Sequence, residues 1–275
     1  MLTRIVTGVV GIALATIVIQ TGGAMFAGAV LLLAFGAWYE YCRAFNQKGY
    51  NPTQVTGMVL ISAMWVGGWL GNEALLVGTT MLSVLTVMLL TVLNHDKFDV
   101  LSAVISVAGI FYIGLPFVHL VMLRFMGGDS VIATNLGDFS TGCALVWIAL
   151  IGTWASDTFA YFAGCAMGKH KLCEKISPKK TIEGFIGGLI GTTASVAGLG
   201  VFFGLDVVTM AVLGFIICIV ATLGDLVESV VKRYTGIKDS GNIIPGHGGI
   251  WDRFDSVLYT VPLVYYFMYV TKIAG

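Results

Sequence analysis

Apolar runs dominate this chain and stop at short polar breaks. Near-continuous hydrophobic segments occupy residues 5–20, 24–39, 55–70, 74–93, 100–123, 143–164, 184–203, 207–231 and 256–269. About 20 apolar residues of helix cross a bilayer, and these runs lack the polar stripe that a helix on a water-facing surface carries. The pattern predicts an all-α polytopic membrane protein with about nine transmembrane helices. Pro116 inside the fifth run predicts a kink, because proline removes one rung of the helical ladder. His119, close by on an apolar face, reads as a packing residue rather than a ligand.

Composition strengthens this reading. The chain is 57% hydrophobic, carries 36 glycines and is 11% charged, which excludes an ordinary soluble domain. The amino terminus, Met1-Leu-Thr-Arg4 and then an apolar run, has the look of a signal peptide. A second apolar run follows at once, so it is read as an uncleaved first span. The five cysteines, Cys42, Cys143, Cys165, Cys173 and Cys218, form no C-x-x-C pair, which argues against a disulfide framework or a zinc site.

Charge sets the orientation. With nine spans, Arg4, Arg43, Lys48, Lys97, Lys169, Lys171, Lys175, Lys179, Lys180, Lys232, Arg233, Lys238 and Arg253 fall on one side, and only Arg124 and Lys272 on the other. A split of thirteen to two predicts that the basic loops face the cytoplasm of a cell membrane. The formal net charge of zero hides this asymmetry. The basic residues sit in short loops among acids and glycines, which excludes a nucleic-acid-binding footprint.

The chemistry is unevenly spread. Residues 1–140 are mostly apolar, with acids only at segment ends such as Glu40, Glu73, Asp96 and Asp99, whereas residues 141–275 hold nearly every motif. No internal repeat or linker separates them, so the chain reads as one membrane domain with a catalytic half. Asp157 lies late in the sixth run, where a carboxylate needs a cation or a wet cavity. A neutral helix–helix hydrogen bond is the alternative. After it, Ser177-Pro178-Lys179-Lys180-Thr181 is expected to open a helix, with proline in the first turn and donors at an anion-binding amino terminus. A basic loop that merely fixes topology is the plainer reading.

The segment from 229 to 255 holds the densest polar cluster, SVVKRYTGIKDSGNIIPGHGGIWDRFD, between two apolar runs. Such a cluster beside a bilayer is a functional site by default. Asp225, Glu228, Ser229 and Lys232 recur at helical spacing and share a face. Asp252 and Asp255 share another. Hard carboxylate oxygens at adjoining ends of successive spans suit Mg²⁺, which takes one or two protein carboxylates and phosphate oxygens. Structural ion pairing, of Asp225 with Lys232 or Asp252 with Arg253, is the alternative. The glycines around His247 let backbone amides approach a ligand.

The run Ser229-x-Val231-Lys232-Arg233, Lys238-Asp239-x-Gly241 and Ile244-Pro245-x-His247-Gly248-Gly249-Ile250-x-Asp252-Arg253-x-Asp255 resembles the signature of the phosphatidate cytidylyltransferase (CDP-diacylglycerol synthase) family. Ser156-Asp157…Ala160-Tyr161…Gly164 and Ser177-Pro178-Lys179-Lys180-Thr181…Glu183-Gly184 are similar to that family too. The first half matches only in hydropathy. Cys165 stands where relatives often have a basic residue, and Ile182 where they often have Trp.

The resemblance implies transfer of CMP from CTP to phosphatidic acid, giving CDP-diacylglycerol and pyrophosphate. It implies Mg²⁺ on Asp225 and Asp252, with Asp157 and Asp255 as secondary ligands and room for a monovalent cation such as K⁺. Lys232, Arg233, Lys238, Asp239, His247 and Arg253 complete the expected catalytic set. Ser177, Lys179, Lys180, Thr181, Glu183, Ser229, Gly248 and Gly249 are expected on the substrates. The active-site cavity would face the cytoplasm, and the glycine-rich spans suit a homodimer. Two other classes compete. A transporter or channel would favour inverted repeats and a mid-bilayer site, whereas these polar residues crowd one face. A lipid or polyprenol kinase, or a cytidylyltransferase for another lipid, would differ in the acceptor.

Overall fold

The computed structural model describes residues 2–244, 246 and 248–273, with side chains from residue 6 onward. The predicted apolar runs are helical: α1 (Leu2–Thr21), α2 (Gly23–Gln47), α3 (Gln54–Trp69), α4 (Glu73–Leu93), α5 (Val100–Gly109) continuing through a π-helical turn (Ile110–Gly114) into α6 (Leu115–Phe125), α7 (Thr141–Met167), α8 (Ile182–Phe202), α9 (Val207–Thr235) and, after the short α10 (Trp251–Phe254), α11 (Val257–Thr271). Among the described residues, six of these runs are long and apolar enough to cross a membrane: Gly23–Gln47, Glu73–Leu93, Val100–Phe125, Thr141–Met167, Ile182–Phe202 and Val207–Thr235. Leu82, Leu85, Leu89 and Val92 on α4 stay exposed, as side chains facing lipid would.

The helix starts follow ordinary capping chemistry. Asn72 accepts from the Leu75 amide at 2.9 Å, Asp99 from that of Ser102 at 2.8 Å, and Asp206 from that of Thr209 at 2.7 Å. Pro116 does perturb its span. Without an amide hydrogen it cannot pair with the carbonyl four residues back, and the helix widens into the π turn immediately before it. His119 is buried, with Nδ1 2.8 Å from the Leu115 carbonyl, as a packing residue should be.

Two antiparallel hairpins depart from the all-helical expectation. Strands β1 (Val131–Thr134) and β2 (Gly137–Ser140) pair across a two-residue turn that ends on Gly137 at φ +112°. Strands β3 (Lys171–Cys173) and β4 (Ser177–Thr181) form the second. The expected helix start at Ser177 is therefore corrected. Ser177–Thr181 is a strand, Pro178 sits on a hairpin with no further neighbour to need its missing donor, and the helix starts at Ile182 with Thr181 as its cap, accepting from the Gly184 amide at 3.1 Å.

The chain forms two compact units interleaved in sequence: Met1–Met122 with Lys232–Phe254, and Leu123–Val231 with Asp255–Gly275. In the first, Trp38, Tyr41, Tyr112 and Trp251 make an aromatic core. Trp38 donates to the Gln54 carbonyl at 2.8 Å and Trp65 to that of Ala27 at 3.1 Å, so their polar handles are paired. In the second, α7 lies along α8, and Thr153 and Thr260 share a 2.7 Å hydrogen bond. A stripe of glycines on α8 permits the α7–α8 approach. A Cβ at Gly184 would sit 2.8 Å from the Ala160 carbonyl oxygen, and one at Gly188 3.3 Å from that of Ser156. These glycines thus serve packing within the chain.

Candidate functional site

In the second unit, α7, the β3–β4 hairpin, the start of α8 and the polar end of α9 enclose a cavity of about 500 Å³. Asp157, Lys179, Lys180, Thr181 and Asp225 supply its polar lining, and Tyr161, Leu172 and Phe185 supply apolar wall. Lys180 Nζ lies 2.7 Å from Asp225 Oδ2, and Ser229 Oγ donates to Asp225 Oδ1 at 3.3 Å. Both members of the ion pair are about a quarter exposed, 24% and 29%, so the charges remain open to a ligand. Asp157 is exposed, one helical turn before Tyr161.

Glu183 anchors the hairpin. Its carboxylate accepts from the Lys169 amide at 3.1 Å and from the His170 amide at 3.2 Å, and it lies 2.6 Å from His170 Nδ1. The Ile182 amide returns to the His170 carbonyl at 2.9 Å. The hairpin is thereby tied at its base to the first turn of α8, while Lys179 and Lys180 line the cavity.

In the first unit, the end of α9, the loop from 236 to 250 and α10 form a second polar cluster. Asp252, whose side chain is 4% exposed, pairs with Lys232 Nζ at 2.8 Å through Oδ1. Its Oδ2 accepts from the amides of Ser240 and Gly249, each at 2.9 Å. Gly248 has φ +94°, a left-handed conformation that favours glycine, and a Cβ there would stand 2.9 Å from Asp252 Oδ2. Its backbone pairs in both directions with Ile244. Arg233, Lys238, Asp239 and Arg253 are exposed around this cluster. His247 lies outside the described residues. Asp255, in the second unit, accepts from the Ser256 amide at 2.7 Å.

Both principal aspartates are thus ion-paired, but not with the partners their local spacing suggested. Lys180 takes Asp225, and Lys232 takes Asp252. A residue that the signature does not include completes the second cluster. Glu40 of α2 is 1% exposed and accepts from Ser240 Oγ at 2.8 Å, from the Ile250 amide at 3.0 Å and from the Trp251 amide at 2.8 Å. Its sequence signal is weak: one acid three residues before Arg43 in the second half of an apolar helix.

For a metal, the donors present are hard oxygens. Among the described residues no three carboxylate, imidazole or thiol groups gather to cage an ion by themselves. Asp157 and Asp225 on one cavity nevertheless fit Mg²⁺, which keeps one or two protein carboxylates and draws its other ligands from phosphate and water.

Long apolar helices, with a cavity in the second unit lined by the Lys180–Asp225 pair and by apolar side chains, define a multi-pass membrane protein. Residues 2–271 match the model of the cytidylyltransferase family. The chain is similar to a phosphatidate cytidylyltransferase of Synechocystis sp., at 36% identity over 286 residues, covering 96% of this chain and 95% of that one. It is also similar to proteins of the same name from Staphylococcus haemolyticus, at 41%, and Staphylococcus saprophyticus, at 39%, each over 176 residues, 63% of this chain and 62% of theirs. The chain belongs to the cytidylyltransferase family.

Proposed function

We propose that this protein transfers CMP from CTP to phosphatidic acid, giving CDP-diacylglycerol and pyrophosphate. The observation that carries the proposal is the near full-length similarity to a phosphatidate cytidylyltransferase. The cavity where Lys179, Lys180, Asp157 and Asp225 meet an apolar wall adds support. A phosphate ester with a lipid tail needs both kinds of surface.

An oxygen of the lipid phosphate attacks the α-phosphorus of CTP. The bond between the α-phosphorus and its bridging oxygen breaks, and pyrophosphate leaves in line. A phosphate monoester has its second pKa near about 6, so at neutral pH the nucleophile is largely ionised and needs no strong base. The obstacle is electrostatic, an anion approaching a polyanion. Positioned cations reduce that obstacle most, as in other phosphoryl transfers. Lys179 and Lys180 would neutralise phosphate oxygens at the cavity, and Lys232, Arg233, Lys238 and Arg253 would do so at the second cluster. Asp157 and Asp225 would hold Mg²⁺, which when bound polarises phosphate oxygens and neutralises their charge. The signature gives Asp252 the same role.

The protein would sit in the cell membrane with about nine spans. The three shorter helices α1, α3 and α11 would cross with α2, α4, the α5–α6 run and α7 to α9, and the basic loops would face the cytoplasm. The test is pyrophosphate release from CTP by purified protein with phosphatidic acid, diacylglycerol or an isoprenoid alcohol as acceptor. Release with phosphatidic acid alone is expected. CDP formed with either alcohol, and no pyrophosphate with phosphatidic acid, would move the protein to a lipid kinase, and pyrophosphate released only with an alcohol would move it to another acceptor.

A further inference from the structure

Carboxylates take the backbone amides of three successive residues in the 236–250 loop and at the start of α10. The Gly249 amide goes to Asp252, and those of Ile250 and Trp251 go to Glu40. Ser240 is held at both ends, its amide by Asp252 and its hydroxyl by Glu40. The Glu40 carboxylate also has glycine on two sides. A side chain at Gly241 or Gly249 would collide with its oxygens, so these two glycines create the space it occupies. A buried carboxylate carries a large desolvation cost unless donors surround it, and here three donors from one loop converge on it. Glu40 stands some two hundred positions before them, in the half of the chain without motifs.

We infer that Glu40 is a positioning residue for the transfer reaction. Its carboxylate is the mould on which the 240–251 segment folds, so that Ser240 and Gly249 present their amides to Asp252 and fix that side chain. The inference rests on the reading that Asp252 serves the transfer. Glu40 touches no reacting atom itself. The charge and the two-oxygen acceptor geometry both matter, because a glutamine would turn one acceptor into a donor facing other donors. Aspartate keeps the chemistry and loses one methylene of reach.

The test uses the full chain, solubilised, with Glu40→Gln, Glu40→Asp and Ser240→Ala. Initial rates are measured against CTP and phosphatidic acid, and amide hydrogen exchange is followed through residues 239–251. For Glu40→Gln, kcat per folded protein should fall at least about tenfold, with KM for phosphatidic acid within about twofold, as expected when the lost interaction acts on the transition state. The Ile250 and Trp251 amides should exchange at least about tenfold faster. Glu40→Asp should recover part of both, and Ser240→Ala, which removes one of three donors, should fall between. A kcat within about twofold of wild type in Glu40→Gln, or unchanged loop exchange, overturns the inference. If Glu40→Gln yields no folded protein, Ser240→Ala decides: wild-type kcat beside a loosened loop overturns it. A wild-type protein that releases no pyrophosphate with phosphatidic acid would defeat the proposed reaction. In that case the exchange arm still judges the Glu40 mould separately, supporting it if the amides loosen and overturning it if they do not.

Discussion

Lys180 and Asp225 meet at 2.7 Å, joining the last strand of a hairpin to the polar end of α9. Each is about a quarter exposed, so the pair should add only about 0–1 kcal/mol to stability. Its placement on the cavity wall matters more. In purified protein, Asp225→Asn should leave the melting temperature within a few degrees and lower turnover by about 10²-fold or more, the range seen when a charge-stabilising group is removed. Lys180→Met should reduce turnover less. The double variant should lose little beyond Asp225→Asn alone, because the two act on one site. Fully additive losses would mean that they act independently.

Asp252 calls for a different experiment. Its side chain is nearly buried, and removing one partner of a buried pair costs about 3–5 kcal/mol by leaving the other charge uncompensated. Asp252→Asn should therefore lower both stability and turnover. Adding Lys232→Met removes the cation that faced the lost carboxylate and should restore part of the melting temperature without restoring turnover. Recovery of both would reduce Asp252 to a structural partner of Lys232.

The hairpin lysines can be ranked. Lys179 and Lys180 line the cavity, while Lys171, exposed on the opposing strand, does not. Neutralising Lys179 or Lys180 should raise KM for CTP severalfold, with the deficit widest at high salt, where the remaining longer-range attraction is screened. Lys171→Gln should stay near wild type. Equal small effects from all three would make the hairpin a topological feature and leave the 229–255 segment as the sole source of phosphate contacts.

Glycines on α8 offer a test of packing alone. A Cβ at Gly188 would come within 3.2 Å of both Ala160 Cβ and Cys218 Sγ, whereas one at Gly198 would meet nothing within 4 Å. Gly188→Val should destabilise by about 1–3 kcal/mol through overpacking. Gly198→Ala should stabilise by about 0.5–1 kcal/mol, since alanine is the better helix former. Thermal unfolding in detergent compares the two. A tolerated Gly188→Val would show that α7 and α8 can separate at little cost.

The sequence made the long helices plain because their runs of apolar residues outlast any alternative. It also marked Asp157, Lys179, Lys180 and Asp225, which the fold brings to one cavity. The hairpins escaped because strands of three to five residues leave no usable period, and Ser177-Pro178 carries the composition of a helix start while the cap is Thr181. The pairings escaped for a different reason. Lys180 and Asp225 meet through the tertiary fold, and local helical spacing drew attention to Lys232 instead. Glu40 was the hardest to see. A lone acid near the end of an apolar helix looks like a solvated terminus, and its role becomes visible only when the distant loop that surrounds it is in place.

Orientation follows from charge. With nine spans, the segments that carry Lys179, Lys180, Lys232 and Arg253 share a side with thirteen of the fifteen basic residues. A reporter fused after Lys180 should read as cytoplasmic, and one fused after Gly275 as external, since three spans (α8, α9 and α11) separate the two points. The 15 residues of α11 make it the span to scrutinise, because about 20 residues cross a full hydrocarbon core and a shorter helix must thin the bilayer or draw its flanks inward. Cysteine labelling by a membrane-impermeant maleimide in intact cells gives the independent check, with a residue introduced at Lys272 reacting and one introduced at Lys175 protected. If both reporters are found on the same side, one of α8, α9 and α11 does not cross and the count of nine spans is wrong.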